Sequence, residues 1–177
     1  MSNNSLYEIE KKNPSVDLSS VKESFPISLE KICDALNIYV DLRDDLSKDM
    51  SGKIFKEEGC YKIHVNKAQP STRVRFTVAH EIGHFIKHRD YIDEHGEILE
   101  RLNHWTYSKK QIRQEKEANQ FAAELLMPEE HFIEKYNTLS KKNNSKREDI
   151  LNNLAEYFWV STQAVTYRII TLGLDCA

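Results

Sequence analysis

The chain is poor in cysteine, and its three, Cys33, Cys60 and Cys176, are scattered, odd in number and never spaced C-x-x-C. That argues against a disulfide framework and for a reducing compartment, read here as the cytoplasm. No run approaches the roughly 18 apolar residues that a membrane span needs. The opening stretch MSNNSLYEIEKK lacks the apolar segment of a secretory signal. An excess of positive charge is missing too. Lys and Arg number 25 against 28 Asp and Glu, a formal net charge of -3, so nothing in the balance advertises a nucleic-acid partner. No internal repeat occurs. What is present is ordinary globular composition, 40% hydrophobic and 30% charged over 177 residues. That suits one compact domain, or one with a small appendage.

Residues 1–25 are polar and rich in Ser, Asn and Lys, which predicts an arm with at most a short helix. Ser28 can cap a helix whose Leu29, Ile32, Cys33 and Leu36 recur at helical spacing. Residues 38–42 read as a strand, and 52–55 with 61–66 as a hairpin turning at Glu57-Glu-Gly-Cys60. Ser71 or Thr72 is expected to cap a helix running to about His88. The stretch 89–108 is ambiguous: Gly96 interrupts it, and 98–105 is compatible with a helix. A helix over 109–127 follows, and Pro128 with Glu129 and Glu130 starts another. Residues 138–146 form a polar linker. Two short helices, 147–158 and 161–172, finish the chain, with Gly173 as a stop.

The chemistry is concentrated in His80-Glu81-Ile-Gly-His84. Two histidines four apart on a helix project from one side, one turn apart, and can grip one Zn²⁺. Glu81 between them is placed to take a proton from water at that metal. Val74, Val78, Ile82 and Phe85 fall on one face at about 100° per residue, with the histidines on the opposite side. A catalytic zinc needs a third protein ligand and one open position. His88 lies a further turn along, about 6 Å by helix rise, too far to join easily. The longer pattern with a third histidine six residues after the second is absent, because that position is Asp90. Glu115 is the better candidate. It shares a face with Asn119, Ala122 and Leu126, whereas Glu117, Gln120 and Glu124 point the other way. A carboxylate on a packing face is costly unless paired or bound to metal; Arg75 is the competing partner. Ala118, Ala122 and Ala123 allow the two helices to approach. Asn119, one turn after Glu115, is placed to hydrogen-bond a ligand histidine.

Two long motifs, Arg75-Phe-Thr-Val-Ala-His-Glu-Ile-Gly-His84 and Glu115-x-Glu-Ala-Asn-x-Phe-Ala-Ala-x-Leu-Leu-Met-Pro128, together with Ser51-Gly-Lys-Ile and Ile63-His-Val-Asn66, resemble the ImmA/IrrE-type metallopeptidases, a zincin-fold family. The resemblance covers most of 26–128. It implies an α+β fold: a zincin-like core with a small β-sheet packed on helices, then a small helix-turn-helix-like C-terminal segment. The organisation expected is an arm over 1–25, a metallopeptidase core over 26–128 and a helical segment over 129–177. The resemblance further implies Zn²⁺ on His80, His84 and Glu115, Glu81 as base, and a protein substrate of the helix-turn-helix repressor class.

An extended substrate is expected to pair with the strand 61–66 if that strand is a sheet edge at the cleft. Tyr91, His95, His104 and Tyr107 are equal candidates for stabilising the oxyanion. The C-terminal segment over 154–169 offers only Gln163, Thr166 and Arg168 to DNA, so direct DNA binding is not expected. The rival readings are a DNA-binding or partner-binding regulator with a non-proteolytic zinc site.

Overall fold

The computed structural model describes residues 5–22, 24–101, 108–141 and 146–174. Among them the chain forms α1 (Ser5–Lys12), α2 (Ser19–Lys22), α3 (Leu29–Leu36), β1 (Ile38–Arg43), β2 (Met50–Glu57), β3 (Cys60–Asn66), α4 (Ser71–His95), β4 (Glu97–Arg101), α5 (Lys109–Leu126), α6 (Glu129–Ser140), α7 (Arg147–Phe158) and α8 (Thr162–Thr171). This is an α+β fold with one mixed sheet ordered β1-β3-β2-β4.

β2 and β3 form the expected hairpin, antiparallel with Ile54 opposite Ile63. Its turn residues Glu58 (φ 50°) and Gly59 (φ 82°) both have positive φ, the twist that a two-residue hairpin requires. β1 pairs in parallel with the far side of β3. The strand 61–66 is therefore central, with both backbone edges used, and cannot receive a substrate strand. β4 pairs antiparallel with β2 and forms an edge, its register shifting between Met50 and Gly52. The residues 98–101 that were compatible with a helix are thus strand; 102–107 lie outside the described residues.

α4 packs under β2 and along α5. Pro70 is its N-cap and no side chain caps it, in place of the cap expected from Ser71 or Thr72. It continues past His88, where the backbone leaves helical values (φ -132°, ψ 27°), and ends at Gly96 (φ 88°). α5 starts in a capping box of Ser108 and Gln111. α6 runs on to Ser140, into the region read as linker.

The first 25 residues are less detached than their composition suggests. Leu6, Ile9, Leu18 and Val21 are buried in the same apolar cluster as Ile54, Ile82, Phe132 and Val165. Ser5 Oγ donates to the Phe121 carbonyl of α5 at 3.1 Å. At the other end, Phe158 stacks on Phe132 (5.5 Å) and meets Phe25 edge-on (5.3 Å). Among the described residues, no helix is long and apolar enough to cross a membrane.

Candidate metal centre

Helix periodicity brings His80 and His84 to one side of α4, and two close approaches set what faces them. Gly83 lies against α5: an added Cβ would sit 3.1 Å from the Ala118 carbonyl oxygen and 3.1 Å from Phe121 Cδ1. On the sheet side, a Cβ at Gly52 would fall 2.5 Å from Thr77 Cγ2, 3.0 Å from the His64 carbonyl and 3.4 Å from Glu81 Oε1. The two glycines let α4 sit tightly between α5 and β2, with Glu81 on the sheet side. Neither was singled out as part of the site from sequence; a glycine inside a strand or helix is the signal that could have pointed to them.

The result is a compact buried group. His80 Nε2 and His84 Nε2 are 2.9 Å apart. Glu115 Oε2 lies 3.2 Å from the first and Glu115 Oε1 3.3 Å from the second. These three side chains form the group, among the described residues, whose ligand atoms all lie within 4.8 Å of one another and could hold a metal ion. Ligand atoms about 2.0–2.1 Å from a tetrahedral ion stand roughly 3.3–3.4 Å from one another, close to what is seen.

Charge and tautomer make the same point. Asn119 Oδ1 lies 3.0 Å from His80 Nδ1; an amide oxygen accepts, so the proton sits on Nδ1 and Nε2 presents its lone pair. Burial pushes the His84 imidazolium down to about 4, outweighing the attraction of Glu115, so this ring is neutral at pH 7. Burial pushes the Glu115 carboxyl up, but hydrogen bonding and charge at the two imidazoles outweigh it and hold the group at about 2. Two imidazole nitrogens and a carboxylate thus converge on one buried point. A divalent cation would satisfy the converging acceptors together.

Other candidates are placed elsewhere. His88 Nε2 faces the Gln114 carbonyl (3.3 Å) and Glu117 (3.6 Å). Arg75 donates to the Ile27 carbonyl rather than to Glu115. Tyr91 and His95 stack on each other at 4.0 Å near the end of α4; His104 and Tyr107 lie outside the described residues. Glu124, expected on the outer side of its helix, is buried and paired with Arg168, because α8 packs there. Burial still raises the Glu124 pKa, although Arg168 opposes the shift. Arg168 also donates to the Met127 carbonyl at 3.1 Å, which removes the one cation of α8 from any outward role.

The mixed α+β fold thus carries a buried His-His-Glu group that could hold a metal ion. The family described as IrrE N-terminal-like domain, a family of metallopeptidases, matches residues 33–169, and the chain belongs to it. No curated protein sequence matches the chain. Among solved structures, the chain is similar to a Mycobacterium tuberculosis transcriptional regulator, with 18% identity and a TM-score of 0.59 over 93% of this chain. The chain spans 46% of that protein's length. At this identity the likeness concerns the fold.

Proposed function

We propose that the chain is a zinc-dependent endopeptidase, with His80, His84 and Glu115 holding the ion and Glu81 as general base. The observation that supports this reading is the buried cluster of ligand atoms: the two Nε2 atoms are 2.9 Å apart, with Glu115 Oε2 3.2 Å from one and Oε1 3.3 Å from the other. Two imidazoles and one carboxylate are a donor set of catalytic zinc, with a fourth position left open. A zinc ion held there would supply a Lewis acid able to acidify water and polarise a carbonyl. Glu81 accepts the proton of the attacking water and passes it to the leaving amine. Asn119 fixes the His80 tautomer that presents Nε2. Gly52, by lacking a Cβ, leaves room beside Glu81.

An extended substrate needs an open strand edge. β3 has none, whereas β4 is an edge strand whose Glu100 pairs with Gly52, on the Glu81 side of the sheet. We assign the substrate strand to β4. The substrate class proposed is a regulatory protein of the helix-turn-helix repressor or antitoxin-like kind, cut at one bond in the cytoplasm. Residues 26–128 would form the catalytic core, and 129–177 a docking or structural segment rather than a DNA reader. The burial of Arg168 supports the last point. The test is a trap: Glu81→Gln protein is expressed in its host, the co-purifying partner recovered, and that partner incubated with zinc-loaded wild type. Intact mass should show a single cut made by wild type and not by the variant. A partner that both proteins bind and neither cuts would overturn the reading.

A further inference from the structure

A cavity at the kink of α4 lies outside the machinery described above. It encloses about 230 Å³ and is lined by Lys12, Phe85, Ile86, Lys87, Arg89 and Asp90. Three cations and one carboxylate thus share a small wall. The Arg89 guanidinium sits over Phe85, 3.9 Å from the ring centroid, and 5.7 Å from that of Tyr61. Its one side-chain hydrogen bond among the described residues runs from Nη2 to Asn13 Oδ1 at 3.0 Å, and it has no ion pair there. A guanidinium carries five N–H donors in a planar fork, so most of those of Arg89 have no protein acceptor among the described residues.

The two lysines share one carboxylate. Lys12 donates to the Ile86 carbonyl at 2.7 Å and stands 3.7 Å from Glu8. Lys87 pairs with the same Glu8 at 2.5 Å, so one carboxylate serves two ammonium groups. Asp90 is exposed and pairs with none of the three cations. Asp93 acts on Arg89 and Glu117 on Lys87 through space; the strongest donor set, that of Arg89, is held in place by its aromatic stack.

We infer that this cavity binds a tetrahedral oxoanion of the phosphate class, either free phosphate or the terminal group of a phosphomonoester. Arg89 takes two of its oxygens through the planar fork, and Lys12 and Lys87 act as point charges. The volume is below the roughly 300–1,000 Å³ of sites that enclose drug-sized ligands, so the recognised part is a small headgroup. Pre-stacking on Phe85 lowers the ordering cost of the arginine.

The experiment uses the full chain, stripped of metal and kept in chelator, so that phosphate cannot act through the candidate metal centre and proteolysis plays no part in the readout. Inorganic phosphate, glycerol phosphate and acetate are titrated calorimetrically at constant ionic strength. The expected result is saturable binding of one phosphate per chain, with acetate weaker. Arg89→Gln should weaken it at least about tenfold, the loss of a charge-assisted pair; Lys12→Gln should weaken it less. Tighter binding of glycerol phosphate identifies a phosphomonoester as ligand, and tighter binding of inorganic phosphate identifies the free ion. If Arg89→Gln does not fold, Arg89→Lys keeps the charge, loses the fork and should bind with intermediate affinity. No saturation, acetate binding as tightly as phosphate, or unchanged affinity in the folded Arg89 and Lys12 variants would overturn the assignment.

Discussion

Gly52→Ala measures how tightly the sheet is set against the helix that carries Glu81. An alanine Cβ would lie 2.5 Å from Thr77 Cγ2, a separation that cannot persist, and 3.0 Å from the His64 carbonyl. Gly52 sits in a strand and is not among the glycines of positive φ, so alanine is permitted by the backbone and would by itself stabilise by about 0.4–1 kcal/mol through the unfolded chain. Overpacking a filled interior costs about 1–3 kcal/mol, and the net expectation is a loss of roughly 1–2 kcal/mol. The clash is mainly with one methyl group. Thr77→Ser removes that methyl, so Gly52→Ala in a Thr77→Ser background should cost much less than in wild type, a coupling of about 1–2 kcal/mol. Urea unfolding of the four proteins gives the cycle. Additive losses would refute the proposed contact. Because Glu81 Oε1 would be 3.4 Å from the same Cβ, cleavage by Gly52→Ala should fall by more than its stability explains.

Three other expectations rest on separate contacts. Asn119→Ala frees His80 Nδ1 and should weaken metal binding by about 10–100-fold with little change in unfolding temperature; unchanged affinity in a chelator competition would contradict the tautomer argument. In the metal-free protein His84 is held near 4 against an ordinary 6.5. The unfolded chain therefore takes up a proton that the native chain refuses, and stability falls as pH drops through that window, by up to about 3 kcal/mol. Urea unfolding in chelator at pH 7 and pH 5 checks this, and equal stability at the two values would refute it. Arg168→Ala strands the buried Glu124 carboxylate and should cost about 3–5 kcal/mol, whereas Arg168→Met with Glu124→Leu should cost far less; similar losses in calorimetric unfolding would argue against a buried pair.

Much of this architecture was legible because its signals are local. The spacing of Leu29, Ile32, Cys33 and Leu36, the cap at Ser28 and the turn at Glu58-Gly59 each act within a few residues. The grouping in space of His80, His84 and Glu115 was also readable, since helical periodicity places the two histidines together and a carboxylate on a packing face is costly unless paired, hydrogen-bonded or bound to metal. The remainder depends on long-range packing. Nothing in residues 61–66 says that β1 will pair in parallel beside them and close that edge. Glu97–Arg101 is short and becomes a strand through pairing with β2. Glu124 is buried because Arg168, 44 residues away, is packed against it. Leu6, Ile9, Leu18 and Val21 are thinly spread among polar residues, and their burial follows from the groove they meet rather than from their own periodicity.

Whether His80, His84 and Glu115 hold one catalytic zinc is tested most directly by titrating metal-free protein with zinc against a chromophoric chelator. Wild type and Glu81→Gln should each bind one ion tightly, while His80→Ala, His84→Ala and Glu115→Ala should lose affinity by orders of magnitude. Wild-type affinity in Glu115→Ala, or loss of the ion in Glu81→Gln, would contradict the assignment of ligands and base.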